Sequence, residues 1–268
     1  MADFERPSSV PGAAATYQRD GHVATITYNR PDALNAVNGD MRVCLNDAWQ
    51  TFQADDEAWV AIVTGAGRAF CAGADLKDGA GSVGEWSGSF WEIPTINSFE
   101  SGLEVWKPTI AAINGPCVGY GLTAALTCDF VLASDQASFS FPEVLLGIPT
   151  IVGSIRAARR MPWPDALELL LTGDRFDANA AHDMGVVWRI HPHDSLMIEA
   201  TMLAERLCKG APLAIRTVKE MARRGQDLPW TDAVRMGETM RRYVAASDDA
   251  SEGRTARIEG RPPEWTGG

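Results

Sequence analysis

Positive charge is scarce in this 268-residue chain, which has 24 Lys and Arg residues against 35 Asp and Glu residues. The formal charge of −11 and the isoelectric point near 4.8 argue against a general nucleic-acid binder. Affinity for a phosphate backbone rests on clustered cations, which this composition does not favour. We therefore expect no nucleic-acid partner, although a local group of basic residues can still hold a small anion.

Cysteine and histidine are also few, and their spacing matches no common zinc pattern. Two of the four histidines, His191 and His193, flank a proline, and we place them in a solvated loop. An odd number of cysteines without a C-x-x-C pair suits free thiols in a reducing compartment. We therefore expect no metal and a cytoplasmic location. The five cysteines are Cys44, Cys71, Cys117, Cys128 and Cys208.

The N-terminus lacks the basic start and apolar run of a secretory signal, and we predict residues 1–16 to be a disordered lead-in. The one long uncharged stretch, residues 108–128, is long enough to span a bilayer. However, Asn114-Gly115-Pro116 and the glycines at 119 and 121 interrupt it. We predict a buried strand, a turn and a helix there, and no membrane partner.

Apolar periodicity predicts strands that alternate with helices over the first half of the chain. Such alternation is typical of an α/β sheet wound by right-handed crossovers. The last third turns to helical periodicity, which predicts a helical C-terminal part. The predicted strands are 22–29, 59–64, 109–113, 130–133 and 138–141, and the predicted helices are 34–52, 122–127, 165–171, 178–184, 195–208, 212–223 and 231–246.

Common nucleotide and hydrolase motifs do not fit. GAGSVG at 79–84 has the letters of a dinucleotide loop, but no strand precedes it. Gly65-Ala66-Gly67 follows a strand, but the third glycine and the distal acidic residue are missing. There is no G-x-S-x-G elbow.

Two turns of small residues remain, CAGADL at 71–76 and NGPCVGYGL at 114–122, each after a predicted strand. Either turn is a tight connection or a means of presenting backbone N–H groups to a ligand. The second opens a helix, whose first N–H groups lack intrahelical partners. Two such groups aimed at one point form an oxyanion hole.

One carboxylate, Glu143, lies in the apolar segment FSFPEVLLGIP at 139–149. Burial among Phe139, Phe141, Val144, Leu145, Leu146 and Ile148 would raise its pKa and suit it to proton transfer. The alternative is a surface glutamate that caps the turn after Pro142. The sequence leaves both interpretations open.

From about Ala14 to Trp265, the chain resembles the crotonase (enoyl-CoA hydratase/isomerase) superfamily. The resemblance rests on four segments and their order: TGAGRAFCAGADL, KPTIAAINGPCVGYGL, FSFPEVLLGIP and LTGDRFDANAAHDMGVV. Two further segments resemble the two ends of the sequences in that family: NRPDALNAVN and SDDASEGRTARIEGRPPEW. The resemblance implies an α/β spiral of ββα repeats over residues 14–200 and a helical trimerisation part over residues 201–268. It also implies a homotrimer or hexamer.

The resemblance further implies an acyl-CoA substrate, with coenzyme A as its carrier and no separate cofactor. The N–H groups of Ala74 and Tyr120 would form the oxyanion hole, and Glu143 would be the general acid/base. Coenzyme A would contact Arg68, Ala72, Lys77 and Ala33, with Arg261 a weaker candidate; the alternative for the three cations is a solvated surface. Aromatic residues of the loop, Trp86, Phe90, Trp91 and Phe99, are candidates for the acyl pocket.

Two positions depart from the family pattern. Thr123 stands where family hydratases have a second glutamate, and a threonine does not accept a proton near neutral pH. This favours single-carboxylate chemistry, in which a double bond shifts or a water held by Thr123 is added or removed. Tyr120 replaces a common glycine, and its ring is a candidate for shaping the pocket. The alternatives are an aromatic enoyl-CoA hydratase-lyase and a non-catalytic acyl-CoA-binding homologue.

Overall fold

A computed structural model describes residues 7–9, 11–78, 98–99 and 102–268 of the chain. Strands and α-helices alternate up to about residue 191, and helices follow from there to residue 259. The strands in these residues are β1 Ala15–Asp20, β2 Val23–Tyr28, β3 Val60–Gly65, β4 Thr109–Ile113, β5 Pro116–Val118, β6 Phe130–Ser134, β7 Ser138–Ser140, β8 Phe176–Asp177 and β9 Arg189–His191. The helices are α1 Gly39–Ala54, α2 Tyr120–Thr127, α3 Val152–Arg160, α4 Trp163–Leu171, α5 Ala178–Asp183, α6 Leu196–Leu207, α7 Pro212–Arg224, α8 Trp230–Ala245 and α9 Asp248–Glu259.

The main sheet has six strands in the order β1-β2-β3-β4-β6-β9. Only β1 and β2 pair antiparallel in it; the other neighbours are parallel. Every residue of β3 and β4 is buried, which explains why VAIVTG and TIAAI read as continuous apolar runs rather than alternating ones. Helices therefore have to cover both faces of this sheet.

A second sheet, β5-β7-β8, lies beside the first and positions the functional turns. Cys117 in β5 pairs with Phe139 in β7 and also forms a bridge with Cys71, which follows β3 along the chain. This arrangement brings the segment after β3 alongside the segment after β4. The two turns singled out in the sequence are therefore neighbours in space.

Helices α1 and α6 bury apolar side chains on the main sheet. Leu45 and Trp49 of α1 lie in the larger core cluster, whereas Leu196 and Ala200 of α6 pack with Ile62 and the neighbouring strands in a second cluster. Helix α6 runs through residue 200, so the predicted boundary at 200/201 falls inside a helix that belongs to the core. A separate role for the helices beyond α6 stays a prediction.

Several predictions about local structure were wrong. Strand β1 begins inside the predicted disordered lead-in, because residues 15–20 pair along their whole length with β2. His191 ends β9, where it pairs with Ser134, and is not in a loop; Nδ1 of His193 lies 3.2 Å from the Ser134 hydroxyl. Helices α3 and α9 were not predicted.

The run 108–128 contains the expected buried strand, β4, and the expected helix, α2; the short strand β5 between them was not predicted. Among the described residues, no helix combines the length and apolar character needed to cross a bilayer. Within the same ranges, no cluster of three or more His, Cys, Asp or Glu residues is arranged to hold a metal ion.

Candidate active site

The start of α2 is the centre of the candidate site. Gly119 precedes the helix with φ 53° and ψ −111°, a conformation that L side chains rarely adopt. Gly121 approaches the preceding turn so closely that a Cβ there would lie 2.5 Å from Cβ of Cys71. Small residues are therefore needed at this turn because the helix begins directly against another segment of backbone.

That other segment is the turn at 71–74, which backbone hydrogen bonds fix on both sides. Cys71 donates to the Pro116 carbonyl at 3.0 Å and accepts from the Val118 amide at 2.8 Å. A Cβ on Gly73 would lie 3.3 Å from the Val118 carbonyl oxygen. Ala74 and Tyr120 each lie within two residues of this contact, so the structure brings the two predicted oxyanion-hole segments together.

Asn35 holds the same region in place from inside the fold, a role that the sequence analysis missed. It is fully buried in the left-handed conformation, with φ 58°. Its side-chain amide donates to the carbonyls of Ala66 and Ala69 at 2.9 and 2.8 Å, and its Oδ1 accepts from the Arg30 amide at 2.8 Å. Asn tolerates this conformation better than most residues, which was the one signal in the sequence.

An ion pair joins the turn at residues 30–36, which we call the Asn35 turn, to Asp75, the residue after Ala74. The Arg30 guanidinium lies 2.9 Å from the Asp75 carboxylate, and both side chains are largely buried. The Arg30 side chain also donates to the Ala36 carbonyl. The Arg30 hydrogen bond is the largest influence on Asp75 and holds the pKa of its carboxyl below the usual range. The charged pair therefore ties Asp75, next to Ala74, to the segment that contains the buried Asn35.

Glu143 reaches the start of α2 from the 3-10 turn Pro142–Leu146. A Cβ on Gly119 would lie only 2.6 Å from Oε1 of Glu143. Within the described part of the chain, Oε2 is buried and has no hydrogen-bond partner. Burial raises the pKa of the Glu143 carboxyl above its ordinary value of 4.5, and a hydrogen bond from its own backbone offsets part of that rise. A carboxyl group in this state can exchange protons nearer to neutral pH.

The predicted cause of this burial was wrong in part. Val144, Leu145, Leu146 and Ile148 are 37 to 70% exposed, so they do not enclose the carboxylate. The short turn directs them to the surface, while Glu143 itself packs against the start of α2. The surface-cap alternative is also excluded, because one carboxylate oxygen is fully buried.

A cavity of about 240 Å³ opens beside Glu143, between the 142–146 turn, α3 and α4. We call it the Glu143 cavity. Its described lining consists of Phe141, Glu143, Val144, Pro149, Thr150, Ser154, Ala158, Trp163, Ala166, Leu167, Leu170 and Leu171.

Thr123 and Tyr120 both belong to α2. Thr123 is buried one turn into the helix, where its amide donates to the Gly119 carbonyl at 2.9 Å. The Tyr120 ring is half-buried at the edge of the core, with the Arg42 guanidinium 5.7 Å from its centroid. The ring thus packs on the protein rather than standing free in solvent.

The predicted coenzyme A contacts fall in two places. The Ala72 amide donates to the carbonyl of Leu34 at 3.0 Å, so Ala72 and Ala33 belong to adjacent turns. Arg68 and Lys77, which lie within five residues of Ala72 in the sequence, have exposed side chains. Arg261 instead pairs with Glu252, at 2.6 and 2.8 Å, and with Glu259, at 2.7 Å. These hydrogen bonds raise its pKa above the usual range.

Of the loop aromatics, Trp86, Phe90 and Trp91 lie outside the described residues. Phe99 is buried and stacks on Trp49 with ring centroids 3.9 Å apart. It therefore packs against α1 and does not line the Glu143 cavity.

The buried carboxyl group makes stability depend on pH in a predictable direction. Because the pKa of Glu143 is higher in the folded chain than in the unfolded one, the folded chain binds more protons between those two pKa values. The contribution of Glu143 to the free energy of unfolding is therefore fully present below pH 4.5. It is lost as the pH rises through the pKa that Glu143 has in the folded chain. We expect Glu143→Gln to raise the melting temperature at pH 7 and to lose this advantage near pH 4.

Differential scanning calorimetry at both pH values measures this effect, with Glu205→Gln, at an exposed position of α6, as the control. A Glu143→Gln protein that is no more stable than the wild type at pH 7 would contradict the burial of this carboxyl.

Comparison with known proteins identifies the family. A sequence model of the family described as enoyl-CoA hydratase/isomerase matches residues 18–268. The chain belongs to the enoyl-CoA hydratase/isomerase family. The resemblance to the crotonase superfamily and the α/β class with a helical C-terminal part are thereby confirmed.

Curated relatives and solved structures agree with this assignment. A probable mitochondrial enoyl-CoA hydratase of Dictyostelium discoideum is 32% identical over 94% of this chain and 90% of its own length. Carnitinyl-CoA dehydratase of Citrobacter koseri is 36% identical over 94% and 97%. The crystal structure of enoyl-CoA hydratase from Mycobacterium tuberculosis H37Rv superposes with a TM-score of 0.86 at 32% identity, over 96% of this chain and all of the other.

Proposed function

We propose that this member of the enoyl-CoA hydratase/isomerase family acts on an acyl-CoA by stabilising a thioester enolate, with Glu143 as its single general acid/base. One observation carries this proposal: the Glu143 carboxylate lies against Gly119, at the point where the 71–74 turn meets the start of α2. A proton acceptor and two small-residue backbone segments are thus next to each other, as enolate chemistry requires.

The proposed step begins with the thioester oxygen between the amides of Ala74 and Tyr120. As Glu143 takes a proton from the substrate carbon next to the carbonyl, the electron pair moves toward that oxygen and the amides stabilise the charge. Removal of one such donor typically reduces the rate by about 10²- to 10³-fold. The burial of Glu143 suits this step, since a carboxyl with a raised pKa can take a proton and later return it.

Glu143 can move a proton in two ways. If it takes the proton from the α-carbon and returns it to a carbon farther along the acyl group, the double bond moves, which is isomerisation. If it instead takes a proton from water as the water oxygen bonds to the β-carbon, and gives that proton to the α-carbon, the result is hydration; dehydration is the reverse. Thr123 is buried in α2 beside this region and would hold the water in the second case. An aromatic enoyl-CoA hydratase-lyase would add carbon–carbon cleavage after hydration.

A non-catalytic acyl-CoA-binding homologue is the second candidate, since Thr123 replaces the second glutamate of family hydratases. The buried Oε2 of Glu143, which has no hydrogen-bond partner among the described residues, argues for the enzyme, because a binding protein gains nothing from a desolvated carboxylate beside its ligand. We also propose that the chain forms a homotrimer or hexamer, with Arg68, Lys77, Ala33 and Ala72 on the coenzyme A side.

A substrate panel tests the proposal. Crotonyl-CoA, a 3-enoyl-CoA and an aromatic enoyl-CoA are each incubated with the protein, and products are identified by mass and NMR. We expect turnover of at least one ester, with a gain of the mass of water for hydration and no change for isomerisation. Thermal stabilisation by all esters without any product would favour the binding protein. Light scattering on the same sample measures the oligomeric state.

A further inference from the structure

Two neighbouring cavities share a wall of arginine side chains. The larger, of about 450 Å³, lies between α3, the end of α7 and α8, and we call it the α8 cavity. The smaller, of about 300 Å³, lies between the end of α2, α3 and α7, and we call it the α2 cavity. Three residues line both cavities and form what we call the arginine wall: Arg156 and Arg159 of α3, and Arg223 of α7.

Positive charge is concentrated around this wall, although the chain as a whole carries −11. The described lining of the two cavities contains more cationic than acidic side chains. The cations are Arg156, Arg159, Arg160, Lys219, Arg223 and Arg224, and the acids are Glu104, Asp129 and Asp227. The cavities are therefore a local basic site on an acidic protein.

The three acids are already paired with three of the cations. Arg159, Lys219 and Arg224 each hold one acid at 2.6 to 3.0 Å. The Arg160 guanidinium donates to backbone carbonyls at the end of α2, at 3.1 to 3.5 Å. These four cations thus have partners within the chain.

Arg156 and Arg223 have no negative partner. Both are half-buried, and among the described residues neither takes part in an ion pair or a hydrogen bond. Arg223 lies beside the Trp106 ring, 6.0 Å from its centroid, which does not neutralise its charge. Two partly desolvated guanidinium groups in one wall repel each other unless an anion lies between them. An anion would therefore stabilise this arrangement.

We propose that the arginine wall binds a phosphate monoester, with the phosphate between Arg156 and Arg223 and the organic part in the α8 cavity. A guanidinium group offers two parallel donors, and one such fork occupies both oxygens of a carboxylate. A phosphate monoester has three terminal oxygens and carries a charge of about −1.5 to −2 near neutral pH. It can accept from two guanidinium groups at once, and so it matches a pair of arginines from two helices.

The size and lining of the α8 cavity indicate an organic part on the ligand. At about 450 Å³, the cavity is within the range of about 300 to 1,000 Å³ that small-molecule sites have, and a phosphate ion alone would leave most of it empty. Apolar side chains line the rest of it: Val152, Ile155, Leu228 and Met236. A nucleoside monophosphate has both the phosphate and the flat, largely apolar body that this lining favours.

This site is separate from the candidate active site. Among the described residues, none that lines the Glu143 cavity also lines the α8 or the α2 cavity. Binding can therefore be measured without turnover. A protein that reacts with no acyl-CoA ester but binds a phosphate monoester at these arginines would contradict the proposed function and leave this proposal intact.

The test is isothermal titration calorimetry of the full chain with adenosine monophosphate and with inorganic phosphate. We expect adenosine monophosphate to bind once per chain and more tightly than phosphate. Arg156→Gln and Arg223→Gln should each weaken it by about tenfold or more, since each removes hydrogen bonds to a charged group. Arg156→Lys should lose less, because lysine keeps the charge but not the fork. Arg206→Gln, at an exposed position of α6 that lines neither cavity, is the control and should bind like the wild type.

Folding does not obscure this result. Because neither arginine has an ion pair or a hydrogen bond within the described chain, the two Gln variants should keep the melting temperature of the wild type. The source of the phosphate is settled by competition. If coenzyme A displaces adenosine monophosphate and dephospho-coenzyme A does not, the bound group is the phosphate monoester of coenzyme A. If both leave adenosine monophosphate bound, the ligand is a separate phosphorylated metabolite. Either result supports the phosphate site.

Four results would overturn the proposal. They are no binding of either probe at millimolar concentration, equal affinity in wild type and both Gln variants, the same loss in Arg206→Gln, and tighter binding of succinate than of phosphate. Light scattering adds a fifth. If Arg156→Gln and Arg223→Gln lower the mass of an oligomer and the wild type binds no probe, then an acid of another subunit neutralises the wall.

Discussion

Replacing Glu143 with Gln should lower turnover of the reactive acyl-CoA ester by about 10²- to 10⁴-fold, the range expected for a lost general acid/base. Gln fills the same space beside Gly119 but neither accepts nor returns a proton. Binding of the ester should change little, because the proposed oxyanion hole and the coenzyme A contacts come from other segments. Steady-state kinetics should therefore show a large fall in kcat with KM nearly constant.

Two further variants make this result specific to the carboxylate. Glu205→Gln, the same change on the exposed face of α6, should leave kcat unchanged. Glu143→Asp keeps the carboxylate but withdraws it from Gly119, and an intermediate rate would show that position matters as well as charge. If Glu143→Gln turned over substrate at the wild-type rate, the assigned role would be lost, and with it the single-carboxylate mechanism.

Much of the fold could be predicted because buried strands and helices have recognisable apolar patterns in the sequence. Strands β3 and β4 are buried on every residue, so their apolar runs identified them, and the periodic apolar face of α1 did the same. Helix α9 buries little more than Asp249 and Ala256, so it has no apolar period to detect. Its signals were local: Ser247 caps the first turn, and Gly260 ends the helix in the left-handed conformation.

For the candidate site, the sequence predicted which residue types take part but not which segments contact each other. Small residues at 71–74 and 119–121 indicated that something approaches closely, but the sequence did not reveal that each approaches the other. Burial of Glu143 was one of two interpretations that the sequence left open. Its apolar sequence neighbours are exposed, and the packing comes from the start of a helix more than 20 residues earlier. Contacts across such separations depend on the sheet order, which no local pattern encodes.

The Asn35 turn shows the same limit. Leu34 and Asn35 both adopt positive φ, at 52° and 58°, which for Leu is a conformation that the surrounding structure must impose. The hydrogen bonds of the Asn35 side chain to Ala66 and Ala69 supply that constraint from 30 residues away. The strain therefore lies where the fold fixes the backbone next to the 71–74 turn.

Gly119→Ala should impair the enzyme through the position of the Glu143 carboxylate. The added methyl group would lie 2.6 Å from Oε1 and 3.3 Å from Cδ of Glu143, so the carboxylate has to move by several tenths of an ångström or more. Misplacement of a catalytic group by about 1 Å can reduce a rate about 10²-fold. We expect kcat to fall by about that factor in steady-state assays. The unfavourable φ of 53° should also lower stability, by about 1–3 kcal/mol.

Gly21→Ala separates the two effects of that substitution. Gly21, in the turn between β1 and β2, has φ 55°, and a Cβ there would meet no atom of the described residues within 4 Å. It should lower the melting temperature without lowering kcat, because it introduces the backbone strain far from Glu143. If Gly119→Ala loses no more activity than Gly21→Ala at equal folded fraction, then the carboxylate does not need its position over the start of α2. In that case, the contact between Glu143 and Gly119 would be packing, and the proton would have to be transferred elsewhere.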